Sequence, residues 1–286
     1  MHGTPPRLFP YDTWTPRLPE LARQYRDAKP FPNIQLEDFL DPTVVRSLVE
    51  EFPRPSDTSW IQYKHYNENK LGKSKRDEFP PAIGRVIDEF NSPEFAAFMS
   101  ELTGIPGLMA DPSLEGGGMH QTEPGGFLNV HADFTMHHHQ TRWHRRVNLI
   151  LYLNEHWQPD WRGELELWDR GMAACVTKIA PVLNHAAIFN TDETSFHGYP
   201  DPIKFPADTT RKSLALYYYT LETDPHYAAK STDYRPRPTD GLGSSVLIWA
   251  DKQAVHAYSV MKRRLGLSDD FAGRWLGRFS RKHKKK

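Results

Sequence analysis

Two hydrophobic periods divide this chain. Between about 41 and 103 the apolar residues return at helical spacing. Val44, Val45, Leu48, Val49 and Phe52 follow Asp41-Pro42, an N-cap with proline at the first helical position. Ile83, Val86, Ile87 and Phe90 mark a second helix. Phe95, Phe98, Met99 and Leu102 follow Ser92-Pro93 and stop at Gly104. These three helices read as supports for a core. From about 108 the period becomes two. Val147, Leu149, Leu151 and Leu153 fall on one face of a strand, and Asn148, Ile150 and Tyr152 on the other. Phe127 to Phe134, Gly163 to Trp168, Ala186 to Thr191 and Arg211 to Thr220 are further strands, and Asn33 to Leu40 alternates loosely. Short strands with Gly and Pro between them predict a mainly β, α+β protein. Its core is a double-stranded β-helix, a cupin-like jelly roll.

The rest of the chain is punctuated differently. Residues 1–32 are rich in proline and arginine and read as an extended N-terminal arm or docked flap. Residues 33–107 form the helical support segment, with a polar loop over 53–80. The catalytic core spans 108–221. Residues 222–286 read as a linker to 245, then C-terminal helices capped by Ser245 and Ser268, then a solvated basic tail. The second of these helices carries Phe271, Trp275 and Phe279.

Composition narrows the class. The 286 residues hold 36 basic and 36 acidic side chains, a formal net charge of +0, so no global field favours nucleic acid or an anionic membrane. A single cysteine, Cys175, allows no internal disulfide, and neither a leader-like nor a bilayer-length apolar run is seen. The expectation is a cytoplasmic protein of unspecified oligomeric state.

The chemistry lies in three histidine and aspartate positions. His131 and Asp133 are two apart, so a strand projects both to one side. His197 follows in Thr194-Ser195-Phe196-His197-Gly198. Two imidazoles and a carboxylate on one face of an iron leave three positions open, the arrangement of non-haem Fe(II) oxygenases. Arg211 and Ser213 are again two apart, and a guanidinium fork beside a hydroxyl suits the far carboxylate of a dicarboxylic acid. With 14 histidines in the chain, the ordered set carries the argument rather than any one residue. His137, His138, His139 and His144, with Arg142, Trp143 and Arg145, read as a rim loop facing a polar or anionic substrate rather than as a second metal site. Arg145 and Arg146 also fit surface ion pairs.

The stretch from about 31 to 221 resembles the Fe(II)/2-oxoglutarate-dependent dioxygenases of the prolyl 4-hydroxylase type. The motifs are Pro124-Gly125-Gly126-Phe127-Leu128-Asn129-Val130-His131-Ala132-Asp133, Leu151-Tyr152-Leu153-Asn154-Glu155, Arg162-Gly163-Glu164-Leu165-Glu166-Leu167-Trp168, and Ser195-Phe196-His197-Gly198 with Arg211-Lys212-Ser213. Where the family often has two glycines, this chain has Arg162-Gly163. The resemblance implies His131, Asp133 and His197 as iron ligands, with no catalytic residue beyond them. It implies Arg211 on the far carboxylate of 2-oxoglutarate, helped by Ser213 and Tyr152. It adds two further cosubstrate-binding residues, Asn148, at a position often held by threonine, and Gln121, near a family tyrosine that contacts the cosubstrate. Fe(II), 2-oxoglutarate and O2 are implied, with ascorbate as an optional reductant. Asp133 points to hydroxylation, since related halogenases carry a small residue there. The substrate is a peptidyl residue, an amino acid or another small molecule. A cupin-like isomerase or cosubstrate-free dioxygenase, or a non-catalytic jelly-roll module, is the rival reading; neither needs the Arg-x-Ser element.

Overall fold

A computed structural model describes residues 7–56 and 60–265. The expected Ser268 helix, the basic tail and residues 1–6 of the arm lie outside them.

The segment expected to be an extended arm is helical. α1 (Tyr11–Trp14) and α2 (Leu18–Asp27) are joined by a short 3-10 turn. Tyr11, Trp14, Leu18, Leu21 and Tyr25 face one way and are buried in the main core. Tyr25 donates from its hydroxyl to Asn190 Oδ1 at 2.5 Å, which fastens α2 to the barrel. β1 (Asn33–Leu36) precedes α3 (Pro42–Glu51), where Asp41 caps the helix by accepting from the Thr43 backbone N–H at 2.8 Å. The stretch expected to be a loop contains a hairpin, β2 (Ile61–His65) and β3 (Glu68–Lys73). α4 (Pro81–Phe90) and α5 (Pro93–Thr103) follow where the periodicity places them; Ser92 caps α5 and Gly104, at φ 71°, ends it in the left-handed region.

The barrel strands are β4 (Met109–Ala110), β5 (Gly118–Thr122), β6 (Phe127–Ala132), β7 (Trp143–Tyr152), β8 (Leu165–Trp168), β9 (Cys175–Ile179), β10 (Ala186–Asn190), β11 (His197–Tyr199) and β12 (Arg211–Leu221). They run antiparallel in the order β1-β10-β7-β12-β5-β3-β6-β11-β8-β9, curling into a nearly closed jelly roll. The outer face of β7 carries Val147, Leu149, Leu151 and Leu153 into the helical core, as alternation requires. Its inner face carries Ile150 and Tyr152 into a smaller cluster with Leu165, Leu167, Ala187 and Phe189.

The segment expected to be a linker adds β13 (Asp233–Tyr234), which pairs with β6 opposite Ala132 and His131. α6 then runs Leu242–Leu265, so Ser245 lies inside it and does not cap it. No helix among the described residues is long and apolar enough to cross a membrane. α6 docks through Asp251, whose carboxylate takes His65 Nδ1 at 2.7 Å and Asn67 Nδ2 at 2.7 Å. Burial opposes a charge on His65, but Asp251 and Glu68 outweigh it and raise the imidazole to about 9.

Two outcomes follow. Tyr25→Ala, at a fully buried site, should cost about 3–5 kcal/mol in chemical denaturation. The folded His65 value lies above its ordinary one, so its contribution is complete below pH 6.5 and disappears as pH rises through about 9. Protection from hydrogen exchange along 242–252, measured against the intrinsic base-catalysed rate, should therefore fall between pH 7 and 10, and His65→Gln should abolish that fall.

Candidate active site

His131 and His197 meet because β6 and β11 pair with these two residues directly opposite each other. Their ring centroids stand 4.6 Å apart. Each ring shares a hydrogen bond through Nδ1 with a backbone carbonyl two residues earlier, Asn129 for His131 and Ser195 for His197, both at 2.9 Å. The ring donates in this bond, which leaves each Nε2 lone pair free and turned inward. Asp133 stands just past the end of β6. Its Oδ1 lies 3.5 Å from His131 Nε2 and its Oδ2 3.4 Å from His197 Nε2. One ligand atom from each of the three residues falls within 4.8 Å of the others, the one such group among the described residues that could hold a single ion. Burial, ahead of all other effects, drops His197 to about 4, so the imidazole is neutral at pH 7.

Asp133 is held by two residues whose roles the sequence did not reveal. Arg145 Nη2 donates to Oδ2 at 2.8 Å, and Asn148 Nδ2 donates to the same oxygen at 2.8 Å. Asn148 Oδ1 in turn accepts from Arg145 Nε and Nη2 at 3.0 and 2.8 Å. The guanidinium is 3.4 Å from the Tyr217 ring centroid and 4.7 Å from that of Phe134. Burial alone would raise the Asp133 carboxyl, but Arg145 and the two imidazoles outweigh it and keep it well below its ordinary value. Arg145, 2 % exposed, is thus neither a surface ion pair nor a rim contact to substrate. Asn148 lies four residues along β7 from Tyr152, about 13 Å, so it serves Asp133 and not the far carboxylate of a cosubstrate.

Arg211 opens β12 at the other end of the inner face. Its Nε donates to Gly163 O at 2.8 Å and its Nη2 to Tyr152 Oη at 3.4 Å. Its guanidinium is 4.1 Å from the Tyr199 ring centroid and 5.0 Å from that of Tyr152. Gly163 has φ +88°, and a Cβ there would come within 3.2 Å of Arg211 Cδ. One glycine at this position therefore suffices for close approach. Ser213 shares the face with Arg211, 3 % exposed and paired with Tyr152 in register. Tyr199, two residues after His197 on β11, was readable from alternation but not singled out; its hydroxyl shares a 2.9 Å hydrogen bond with Thr122.

Gln121 faces the other way. Alternation on β5 turns His120 and Thr122 inward and sends Met119 and Gln121 outward. Gln121 donates to Pro53 O at 3.2 Å and accepts from Thr210 Oγ1 at 2.9 Å, away from Arg211. The histidine run lies beyond Arg145, and His137 and His138 are tied to Asp111 and Glu115. Arg142 donates to Glu222 O at 2.7 Å. This is a braced loop, with no second single-ion cluster among the described residues.

Comparison with known proteins agrees with this geometry. Residues 117–219 match the model of the 2OG-Fe(II) oxygenase superfamily. No curated protein matches the chain in sequence. Its structure is similar to a prolyl-4-hydroxylase of Pseudomonas putida, at 20% identity and a TM-score of 0.50 over 71% of this chain and 100% of that one. It is also similar to a prolyl hydroxylase of Trichoplax adhaerens in complex with a hypoxia inducible factor oxygen degradation domain peptide fragment, at 17% identity and a TM-score of 0.50 over 72% and 93%. A third is SnoN, a non-heme alpha ketoglutarate dependent epimerase from nogalamycin biosynthesis, at 14% identity and a TM-score of 0.50 over 82% and 90%. These identities establish a shared fold. The superfamily match lies across the strands that bring the two histidines, the aspartate and the arginine fork together, so residues 117–219 of this chain are similar to the 2OG-Fe(II) oxygenases in sequence and the barrel shares their fold.

Proposed function

We propose that this chain is a hydroxylase that holds Fe(II) on His131, Asp133 and His197 and converts an unactivated C–H bond to an alcohol. 2-Oxoglutarate and O2 are consumed and succinate and CO2 released. The acceptor is a prolyl or other peptidyl residue, an amino acid or another small molecule. The observation that carries this reading is one inward-facing group of two Nε2 atoms and a carboxylate, with a buried arginine fork on the same inner surface.

The donor set fits the metal. Imidazole nitrogens and an ionised carboxylate suit ferrous iron, and a backbone carbonyl accepts from the Nδ1–H of each ring. When bound, iron supplies the oxygen chemistry, and the protein supplies orientation and a water-poor surrounding. Arg211 offers a charge that cannot be lost, aimed by Gly163 O and flanked by Tyr152 and Ser213, for the far carboxylate of the cosubstrate. Arg145 and Asn148 hold Asp133 ionised and in one orientation. A cupin-like isomerase, a cosubstrate-free dioxygenase or a binding module would leave the buried Arg211 unexplained. The barrel alone leaves the substrate open, since one similar structure carries a peptide fragment and another is an epimerase.

Succinate release with Fe(II), ascorbate and 2-oxoglutarate tests this reading directly. Arg211→Ala should raise the half-saturating 2-oxoglutarate concentration by a factor of about thirty or more, the size expected when a paired buried charge is removed; unchanged saturation would remove Arg211 from the role. His131→Ala and Asp133→Ala should lose bound iron and turnover together, and an active variant with iron retained by metal analysis would refute the cluster. Arg145→Ala strands the Asp133 carboxylate and should cost about 3–5 kcal/mol of stability. Adding Fe(II) should raise the melting temperature of this variant by more than it raises that of the wild type, as read by thermal melts with and without metal.

A further inference from the structure

Lys70 is a charged group inside the barrel that the scheme above does not use. It lies on β3 between Glu68 and Gly72, all three on one face. A Cβ at Gly72 would come 2.7 Å from the Tyr63 ring and 3.4 Å from His120, so this face looks onto the barrel interior. The register pairs Arg211 with Thr122 and Leu71 with Gln121. One step further along β3, Lys70 falls in the row of Arg211, two strand spacings away, about 10 Å. Thr122 lies between them in that row, and His120 lies two residues along β5 on the same face. Burial first, then Lys70 and Arg211, hold its imidazole down to about 3.

The Lys70 side chain is 15% exposed. Its ammonium meets Glu68 Oε2 at 3.2 Å and lies 5.5 Å from the Tyr63 ring centroid. An ammonium has three N–H donors, and Glu68 is itself shared, since its Oε1 takes His65 Nε2 at 2.8 Å. Burial works against the charge on Lys70, but Glu68 outweighs it and keeps the group protonated. A cation kept inside a barrel is costly unless paired in every state that matters.

The surroundings bear on what could pair with it. Beyond β3, the edge of β6 is filled by β13, and the Tyr234 ring centroid is 5.3 Å from that of His131. α6 packs on the turn end of the hairpin through Asp251. β6, the strand that carries His131, therefore offers an extended peptide no free edge there.

We propose that Lys70 binds a carboxylate of the organic substrate, which is therefore a small carboxylic acid. This inference rests on the oxygenase reading. Arg211 anchors the cosubstrate, and Lys70 anchors the molecule to be oxidised on the opposite side of Thr122.

The test is succinate release by the full chain with Fe(II), ascorbate and 2-oxoglutarate. A panel of free amino acids and short aliphatic acids is assayed against the matching primary amides. At least one acid should raise release above the uncoupled level while its amide does not. Lys70→Met should lower the ratio of stimulated to uncoupled release by a factor of about ten or more. The double variant Glu68→Gln/Lys70→Met leaves no carboxylate stranded and should show the same loss. Lys70→Arg should recover most of it. An amide as effective as its acid, a panel with no stimulating acid, or an unchanged ratio in both Lys70→Met variants overturns the inference and leaves the oxygenase reading standing. A wild-type protein that releases no succinate overturns both.

Discussion

The site depends on keeping one carboxylate ionised inside a barrel. Asp133 sits against two imidazoles, one of them His197, which burial leaves uncharged. Without help, its burial would favour the protonated acid, a poor ligand for a divalent ion. Arg145 supplies the opposing charge, and Asn148 locks guanidinium and carboxylate together. The price is an arginine itself removed from water, met by the faces of Tyr217 and Phe134. One end of the inner wall is therefore fixed before any ligand arrives.

The other end is fixed by a different device. Arg211 is aimed by a backbone carbonyl and packed beneath aromatic rings, which leaves part of its fork for a ligand. Two arginines on one inner wall thus do opposite jobs. Arg145 is spent on a protein carboxylate, while in the proposed function Arg211 keeps its charge for an incoming one. Strand geometry separates them, since β7 carries Arg145 at one end and Tyr152, the partner of Arg211, at the other.

Much of this was legible in the chain where local pattern and tertiary role agree. The alternation of β7 named its apolar face correctly, the caps at Asp41 and Ser92 placed two helices, and the spacing of two tied His131 to Asp133. Legibility failed where the inner wall is polar. The β2–β3 hairpin turns His65, Glu68 and Lys70 into the barrel, so its composition mimics a solvated loop. Arg145 was hidden among Arg142, His144 and Arg146, because nothing local distinguishes a buried guanidinium from an exposed one. Gln121 was one residue out of phase, enough on a strand to reverse its direction. In the first helices, Pro16 and Pro19 masked a run from Tyr11 to Tyr25 that keeps helical spacing.

The tie between His65 and Asp251 joins positions 186 residues apart. A ribosome delivers the N-terminal part first. The two histidines, the aspartate, the arginine fork and the strands through β12 all precede Asp251 in the chain. The wall beside the inward-facing group is thus completed by a segment that lies beyond the barrel strands and supplies no part of that group.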